Sequence, residues 1–312
     1  MTSTDALAPP APDRTGRGVG PSAAPSGRPL LYSAPALLAV IVWVYLPLVA
    51  TGLLSVVHWN LTSPNVRFVG WENYLTLAQD PDFLGALWRT VLYVVLMLPF
   101  ATVIPLAIAI ALWKRPGRAS SAYRALLFLP VVLAPAANAV AWQFMLNPLQ
   151  GVTNTVLGHL GLPQPNWLGD AGTALPTIVL ITASKIIGLN VLLFSAALSA
   201  LDRRCFEAAA VDGATEGEIT RLLVLPQMRR SVTLLGLLCV VLAGQWVYTT
   251  VSLLTQGGPD GATDNIYYRL YTYGFTFFDI GTAAAAAVVL LVMVGVVYAG
   301  VRAVAGRRRS AR

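Results

Sequence analysis

Residues 91–113 read VLYVVLMLPFATVIPLAIAIALW, 23 residues without a charge. A hydrocarbon core of about 30 Å takes about 20 apolar residues as helix, so this stretch is long enough to cross it. Its prolines, Pro99 and Pro105, are compatible with a span, because in lipid neighbouring helices re-satisfy the carbonyls that proline frees. Working outward, five more stretches reach the same length: 31–57, 125–145, 174–200, 231–256 and 280–301. Pro47, Pro130, Pro135 and Pro176 fall inside them, which predicts kinked helices in a bundle. The whole chain agrees. Of its 312 residues 56% are hydrophobic and only 11% charged, where a soluble domain carries about 25% charged residues. The predicted fold is an all-α integral membrane protein with six transmembrane helices. Two cysteines, Cys205 and Cys239, exclude a disulfide scaffold and lack partners at metal-ligand spacing.

The basic residues set the orientation. The segments before span one, between spans two and three, between four and five, and after six hold 17 of the 21 Lys and Arg. The alternate segments hold Arg67 and Arg269, and Arg89 and Lys185 lie in or near spans. Positive charge collects on the cytoplasmic side, so both termini are expected there, in a cell membrane. The net charge of +7 is then a topological signal, and nucleic acid is excluded as a partner. Residues 1–30, rich in Pro, Ala, Gly and Ser, predict a disordered cytoplasmic tail. Residues 31–305 form the membrane domain and 306–312 a basic tail. The first apolar run is far longer than the 7–15 residues of a signal peptide, so it is expected to remain as a span.

The outer segments are 60–86, 147–173 and 257–279. Within the first, FVGWENYLTL (68–77) predicts a short interfacial helix with Trp71 and Tyr74 as headgroup anchors. His58 and His159 have no ligand set around them and read as surface residues.

The inner segment 201–230 reads LDRRCFEAAAVDGATEGEITRLLVLPQMRR. It predicts a short helix over 206–211 that Gly213 ends. A second is predicted over 216–224, opened by a Thr215–Glu218 capping box and stopped by Pro226. A loop that only joined two spans would be shorter. The small residues on this hairpin suit a docking element that lets another protein approach closely.

This loop resembles the EAA motif of the membrane subunits of bacterial ABC importers, in which Glu-Ala-Ala is followed by Gly and then by Ile-x-Leu-Pro. Here it stands as Glu207-Ala208-Ala209, Gly213, Leu223, Leu225 and Pro226, with Leu in place of Ile at 223 and Asp212 beside the glycine. Phe68-Val69-Gly70 with Asn73-Tyr74, the stretch 254–259 (LTQGGP) with Thr263, and 279–285 (DIGTAAA) resemble elements of the carbohydrate permeases, the group that includes maltose and glycerol-phosphate importers. They resemble the first permease of the pair. Two departures stand out. Leu201-Asp202 followed by Arg203-Arg204 replaces an Ile-Pro commonly found before the motif, and Arg89 replaces a common Asn.

The resemblance implies a type I importer transmembrane domain that is not itself an enzyme. It implies a second, homologous permease, a cytoplasmic ATPase dimer that binds ATP and Mg, and an extracytoplasmic solute-binding protein. No G-x-x-x-x-G-K-[ST] loop occurs here, so no cofactor is expected in this chain. Glu207 would pair with a basic ATPase residue. Ala208, Ala209 and Gly213 would permit close packing, and the loop would turn the attached spans when ATP closes the ATPases. For the solute path, Gln245, Thr249 and Ser252 recur at i, i+4 and i+7, one helical stripe, with Trp246 and Tyr248 beside it. Ser184 and Asn190 add polar groups in span four, near Lys185, which the resemblance gives a structural reading because the family often has a basic residue near that place; Asn138 and Gln143 add polar groups in span three. An aromatic wall with amides and hydroxyls suits a carbohydrate. A non-sugar solute is the nearer alternative. An ion-coupled transporter would need intramembrane carboxylates, and none of the 14 acids lies within a span.

Overall fold

The computed structural model describes residues 29–62 and 64–310. The expected tail over 1–28 lies outside the described residues. The chain divides into two units, the first ending at Leu48 and the second running from Val49. The first unit is helical from Pro29: α1 (Pro29–Val40), a π turn (Ile41–Tyr45), and the start of α2 (Leu46–Leu54). Its side chains from Ser33 onward are exposed.

The second unit is built from long apolar helices. After a two-stranded antiparallel ribbon (β1 Val57–His58, β2 Arg67–Phe68) comes the short helix α3 (Glu72–Gln79). The second span is α4 (Pro81–Ala101) and α5 (Val103–Lys114), interrupted only at Thr102. It begins ten residues before the apolar run, because Asp80 caps it and Pro81 occupies its first turn. The third span is α6 (Arg118–Val132) and α7 (Pro135–Met145), which meet at 101°. The kink expected of the prolines in 125–145 is a break at Leu133–Ala134. Pro135 forces Ala134 out of the helical region, to φ −55°, ψ 140°, and Leu133 is extended as well. Then follow α8 (Val152–His159) and the fourth span, α9 (Ala171–Ser199). The loop after it contains α10 (Arg203–Val211) and α11 (Glu216–Glu218), which a π turn (Ile219–Val224) joins to α12 (Leu225–Leu254). The far-end connection carries α13 (Ile266–Tyr271) and a π turn (Thr272–Thr276), and α14 (Ile280–Ser310) is the last span. The residues expected as a basic tail continue α14 as far as Ser310.

Pro226 does not stop the helix before it, as the sequence predicted. Residues 216–254 form one unbroken helical rod of 39 residues. Its π turn carries the Leu225 N–H to the Thr220 carbonyl, five residues back. The widened turn leaves room for the proline ring, which in an α-helical turn crowds the carbonyl four residues back.

Three apolar cores stack along the bundle. At the end carrying the 201–230 loop, Leu106, Ile110, Phe194, Leu198, Phe206, Val224 and Met228 pack together. The middle core joins Tyr93, Met97, Ala101, Ile178, Ala183, Ile186, Ala243 and Val247. At the far end, Leu77, Phe83, Ile266, Tyr273 and Ala285 close the bundle. Pro105 lacks the N–H that would bond the Ala101 carbonyl, and Asn190 Nδ2 donates to that carbonyl instead at 2.7 Å. Gly188 lies where a Cβ would collide with the Leu127 carbonyl, so α6 and α9 meet backbone to backbone there.

The far-end connections are tied by polar side chains. Asn73 Nδ2 donates to the Ser55 and Val57 carbonyls, each at 2.9 Å, and Tyr74 donates to Ser55 Oγ at 2.8 Å. Trp71 is exposed, as a headgroup anchor requires, whereas the Tyr74 hydroxyl is turned inward. Thr263 Oγ1 bonds the Gly258 carbonyl and the Thr255 hydroxyl, each at 2.7 Å. Asp264 is buried and paired with Arg269, which also reaches Asp82 at 3.1 Å. Burial lifts the Asp264 carboxyl above its usual range despite the Arg269 guanidinium beside it. Asp80 accepts from the Tyr273 hydroxyl at 2.6 Å. Burial alone would raise Asp80, but that hydroxyl, two backbone N–H groups and Arg269 hold it below its usual range.

Candidate coupling loop and transmembrane cavity

The loop between α9 and α12 presents the motif residues on a short, well-capped hairpin. Asp202 Oδ1 accepts from the Arg204 N–H at 3.0 Å and opens α10. Gly213, at φ +86°, closes it. The Ala214 N–H bonds the Ala209 carbonyl and the Gly213 N–H bonds the Ala210 carbonyl, the paired bonds of a Schellman turn. The predicted capping box is present at α11: Thr215 Oγ1 accepts from the Glu218 N–H, and Glu218 Oε2 accepts from the Thr215 N–H at 2.8 Å. These bonds hold the fully exposed Glu218 carboxyl below its usual range.

Phe206 is the one buried residue of α10. Its ring meets Trp113, at the end of α5, edge to face with centroids 5.5 Å apart. The Arg203 guanidinium lies 5.9 Å from the Trp113 ring centroid. Lys114 pairs with Glu216 at 3.4 Å, although Glu216 is 85% exposed and such a pair contributes little. Thus the unusual Asp202-Arg203 opening supplies a cap and a cation–π contact. Arg203 stands out in the sequence only as a departure from the motif's usual opening, and Trp113 not at all; they are 90 positions apart and only the fold brings them together.

Around this anchor the motif is open. Glu207, Ala208, Asp212 and Gly213 are exposed and Ala209 half-buried. Val211 is 88% exposed. Glu207 and Ala210 line an open cleft of about 450 Å³ with Trp113, Arg203 and Glu216. Leu223 packs on the core beneath, while Leu225 and Pro226 are exposed.

The second feature is a half-open pocket of about 160 Å³ at the side of the bundle, whose only buried lining residues are Asn138 and Ala139. Lys185 of α9, Asn138 of α7, and Trp246, Thr249 and Thr250 of α12 line it, beside the break at Leu133–Pro135. Along α12 the lining residues are 246, 249, 250 and 253, spaced i, i+3, i+4 and i+7. Two residues of the expected wall, Trp246 and Thr249, are therefore brought together. Gln245, Tyr248 and Ser252 lie on the adjoining face. Tyr248 packs against Tyr271, centroids 5.9 Å apart. The Ser184 hydroxyl donates to its own helix at Ile181, and Asn190 holds the Ala101 carbonyl. Thr250 was not foreseen; its hydroxyl lies 3.2 Å from that of Thr182. No group of three or more His, Cys, Asp or Glu able to hold a metal occurs among the described residues.

Comparison with known proteins agrees with this architecture. The family described as "Binding-protein-dependent transport system inner membrane component" matches residues 75–310. The sn-glycerol-3-phosphate transport system permease protein UgpA of Pectobacterium atrosepticum is 36% identical over 230 residues, 73% of this chain and 77% of its own. The probable ABC transporter permease protein YurN of Bacillus subtilis is 30% identical over 268 residues, 85% and 91% of the two chains. A chain of a bacterial alginate ABC transporter, solved with an alginate pentasaccharide-bound periplasmic protein, superposes with TM-score 0.77 at 21% identity. That likeness covers 87% of this chain and 92% of the other. A membrane domain of kinked spans, an exposed loop after the fourth span and these relatives converge: the chain belongs to the inner-membrane component family of binding-protein-dependent transport systems, as the translocating permease subunit of an ABC importer and not as an enzyme.

Proposed function

We propose that this permease carries a carbohydrate or carbohydrate derivative, in a complex with a second, homologous permease, a cytoplasmic ATPase pair and an external solute-binding protein. The excess of Lys and Arg in the terminal and inner segments supports a cytoplasmic position for both termini and for the 201–230 loop. ATP and Mg bind to the ATPases, because this chain has no phosphate-cradling loop. The observation that carries the reading is the shape of α10: one buried phenylalanine anchors it, while Glu207, Ala208, Gly213 and Val211 remain exposed for a partner. Glu207 meets a basic ATPase group, and the small residues allow close approach. Closure of the ATPases then moves α10, which moves α5 through Trp113 and α12 through the π turn. The cavity beside Trp246 and Thr249 alternates between the two sides of the membrane. A ring system stacks on Trp246, and the amide of Asn138 meets hydroxyls; the relative with the higher identity is named for sn-glycerol-3-phosphate transport. Glu207→Lys tests the coupling role. The expected result is normal insertion with loss of ATP-driven uptake and of ATPase co-purification; normal uptake by that variant refutes it.

A further inference from the structure

We infer that Lys185 is the counter-charge for an anionic group on the transported solute, so that the carbohydrate carries a phosphate or a carboxylate. The inference rests on reading the Trp246 cavity as the solute path.

Lys185 is the fifteenth of the 29 residues of α9. Fourteen residues separate it from either end, about 21 Å of helix. That is further than a four-carbon stem can carry an ammonium to the headgroups, so snorkelling does not explain it. A cation this deep is costly unless it faces a cavity or a carboxylate. The cavity is present, with Lys185 in its wall. The carboxylate is not: no Asp or Glu occurs in 91–113, 125–145, 174–199, 231–254 or 280–301, and among the described residues the salt bridges do not include Lys185. Arg124, just before the stretch predicted as span three, lies about two turns from the start of α6 and so near a membrane face. Among the described residues Lys185 is therefore the one charged side chain at mid-span depth. The rest of the wall completes a sugar-acid site. Trp246 offers a ring face, and Asn138, Thr249 and Thr250 offer neutral polar groups. A neutral sugar would leave the ammonium without a partner; a phosphate or carboxylate would give it a charge-assisted hydrogen bond.

The test uses the complete importer in proteoliposomes with four radiolabelled probes: sn-glycerol-3-phosphate, digalacturonate, maltose and inorganic phosphate. Wild type, Lys185→Gln and Lys185→Arg share one binding protein, so variant-to-wild-type ratios report on the permease alone. Expected is ATP-driven uptake of one of the two anions, lowered about 10- to 100-fold by Lys185→Gln and largely restored in Lys185→Arg. Membrane insertion stays unchanged. The phosphate and carboxylate arms tell which anion is used. Uptake of maltose alone, equal in wild type and Lys185→Gln, overturns the inference and leaves the carbohydrate reading standing. Lys185-dependent uptake of inorganic phosphate with no sugar moved sinks the carbohydrate reading but keeps the counter-charge. Separation of the two permeases in Lys185→Gln, with normal uptake by the complexes that remain, overturns the inference in favour of an ion pair across the permease interface.

Discussion

Phe206→Ala removes the anchor of α10. Phe206 is 7% exposed and packs on Leu198, Val224 and the edge of Trp113. Truncating a buried phenylalanine costs about 3–5 kcal/mol. The other eight residues of α10 are not buried, and a nine-residue helix is too short to persist alone in water. The loss therefore falls on local docking, and the spans keep their own cores. Taking about 3 kcal/mol, the undocked state becomes about 150-fold more populated. Hydrogen–deuterium exchange of the permease in nanodiscs reads this directly. Amides of 203–211 should exchange faster by about that factor, while those of 171–199 keep their rates. Phe206→Leu, which retains much of the volume, should fall between. Unchanged exchange in 203–211, or equal acceleration in both segments, would refute the single-anchor account.

Asn190→Leu leaves the Ala101 carbonyl without a donor and should lower stability in mixed-micelle unfolding by about 0.6–1.7 kcal/mol; Pro105→Ala, which returns an N–H to that carbonyl, should recover part of the loss. Gly188→Ala drives a methyl into the Leu127 backbone and should reduce folded yield, an overpacking cost of about 1–3 kcal/mol, whereas Gly172→Ala in the same helix meets open space and should be neutral. Asp80 has its carboxyl held below 3.8, so its contribution is complete above that value and is lost as pH falls through the lower folded-state value. Thermal stability of the far-end connection should drop on acidification below pH 3.8, and Tyr273→Phe should shift that drop to higher pH; an unshifted curve counts against the Tyr273–Asp80 bond.

The spans are legible because length alone identifies them: 23 uncharged residues at 91–113 have no soluble counterpart. Breaks within spans are harder to read. Pro99 and Pro176 lie inside continuous helices, whereas Pro135 ends one, because Leu133 and Ala134 both leave the helical region there. The same ambiguity misplaced Pro226, whose ring a π turn accepts. Motif residues in the far-end connections were legible only as a resemblance, and the hydrogen bonds supply their cause: Asn73 satisfies two carbonyls where the chain leaves α2, and Thr263 closes the turn over 257–263. The wall of the cavity was read one helical face away. A stripe of polar residues shows which side of α12 is hydrophilic, but its rotation depends on α7 and α9, which only packing determines.

The continuity of 216–254 turns the hairpin of the 201–230 loop and the fifth span into a lever. Thirty residues of α12 extend about 45 Å beyond the π turn. A tilt of about 5° at that turn would displace the Thr255 end by about 4 Å, comparable to the width of a sugar ring's edge. The fulcrum lies at the base, among Leu106, Val224 and Met228, and the lever arm carries Trp246, Thr249 and Thr250 in its last third. Motions too small to disrupt the packing of α10 against Trp113 would thus reach the cavity magnified, so the side-chain volumes at the base, and not those in the cavity, set the gain.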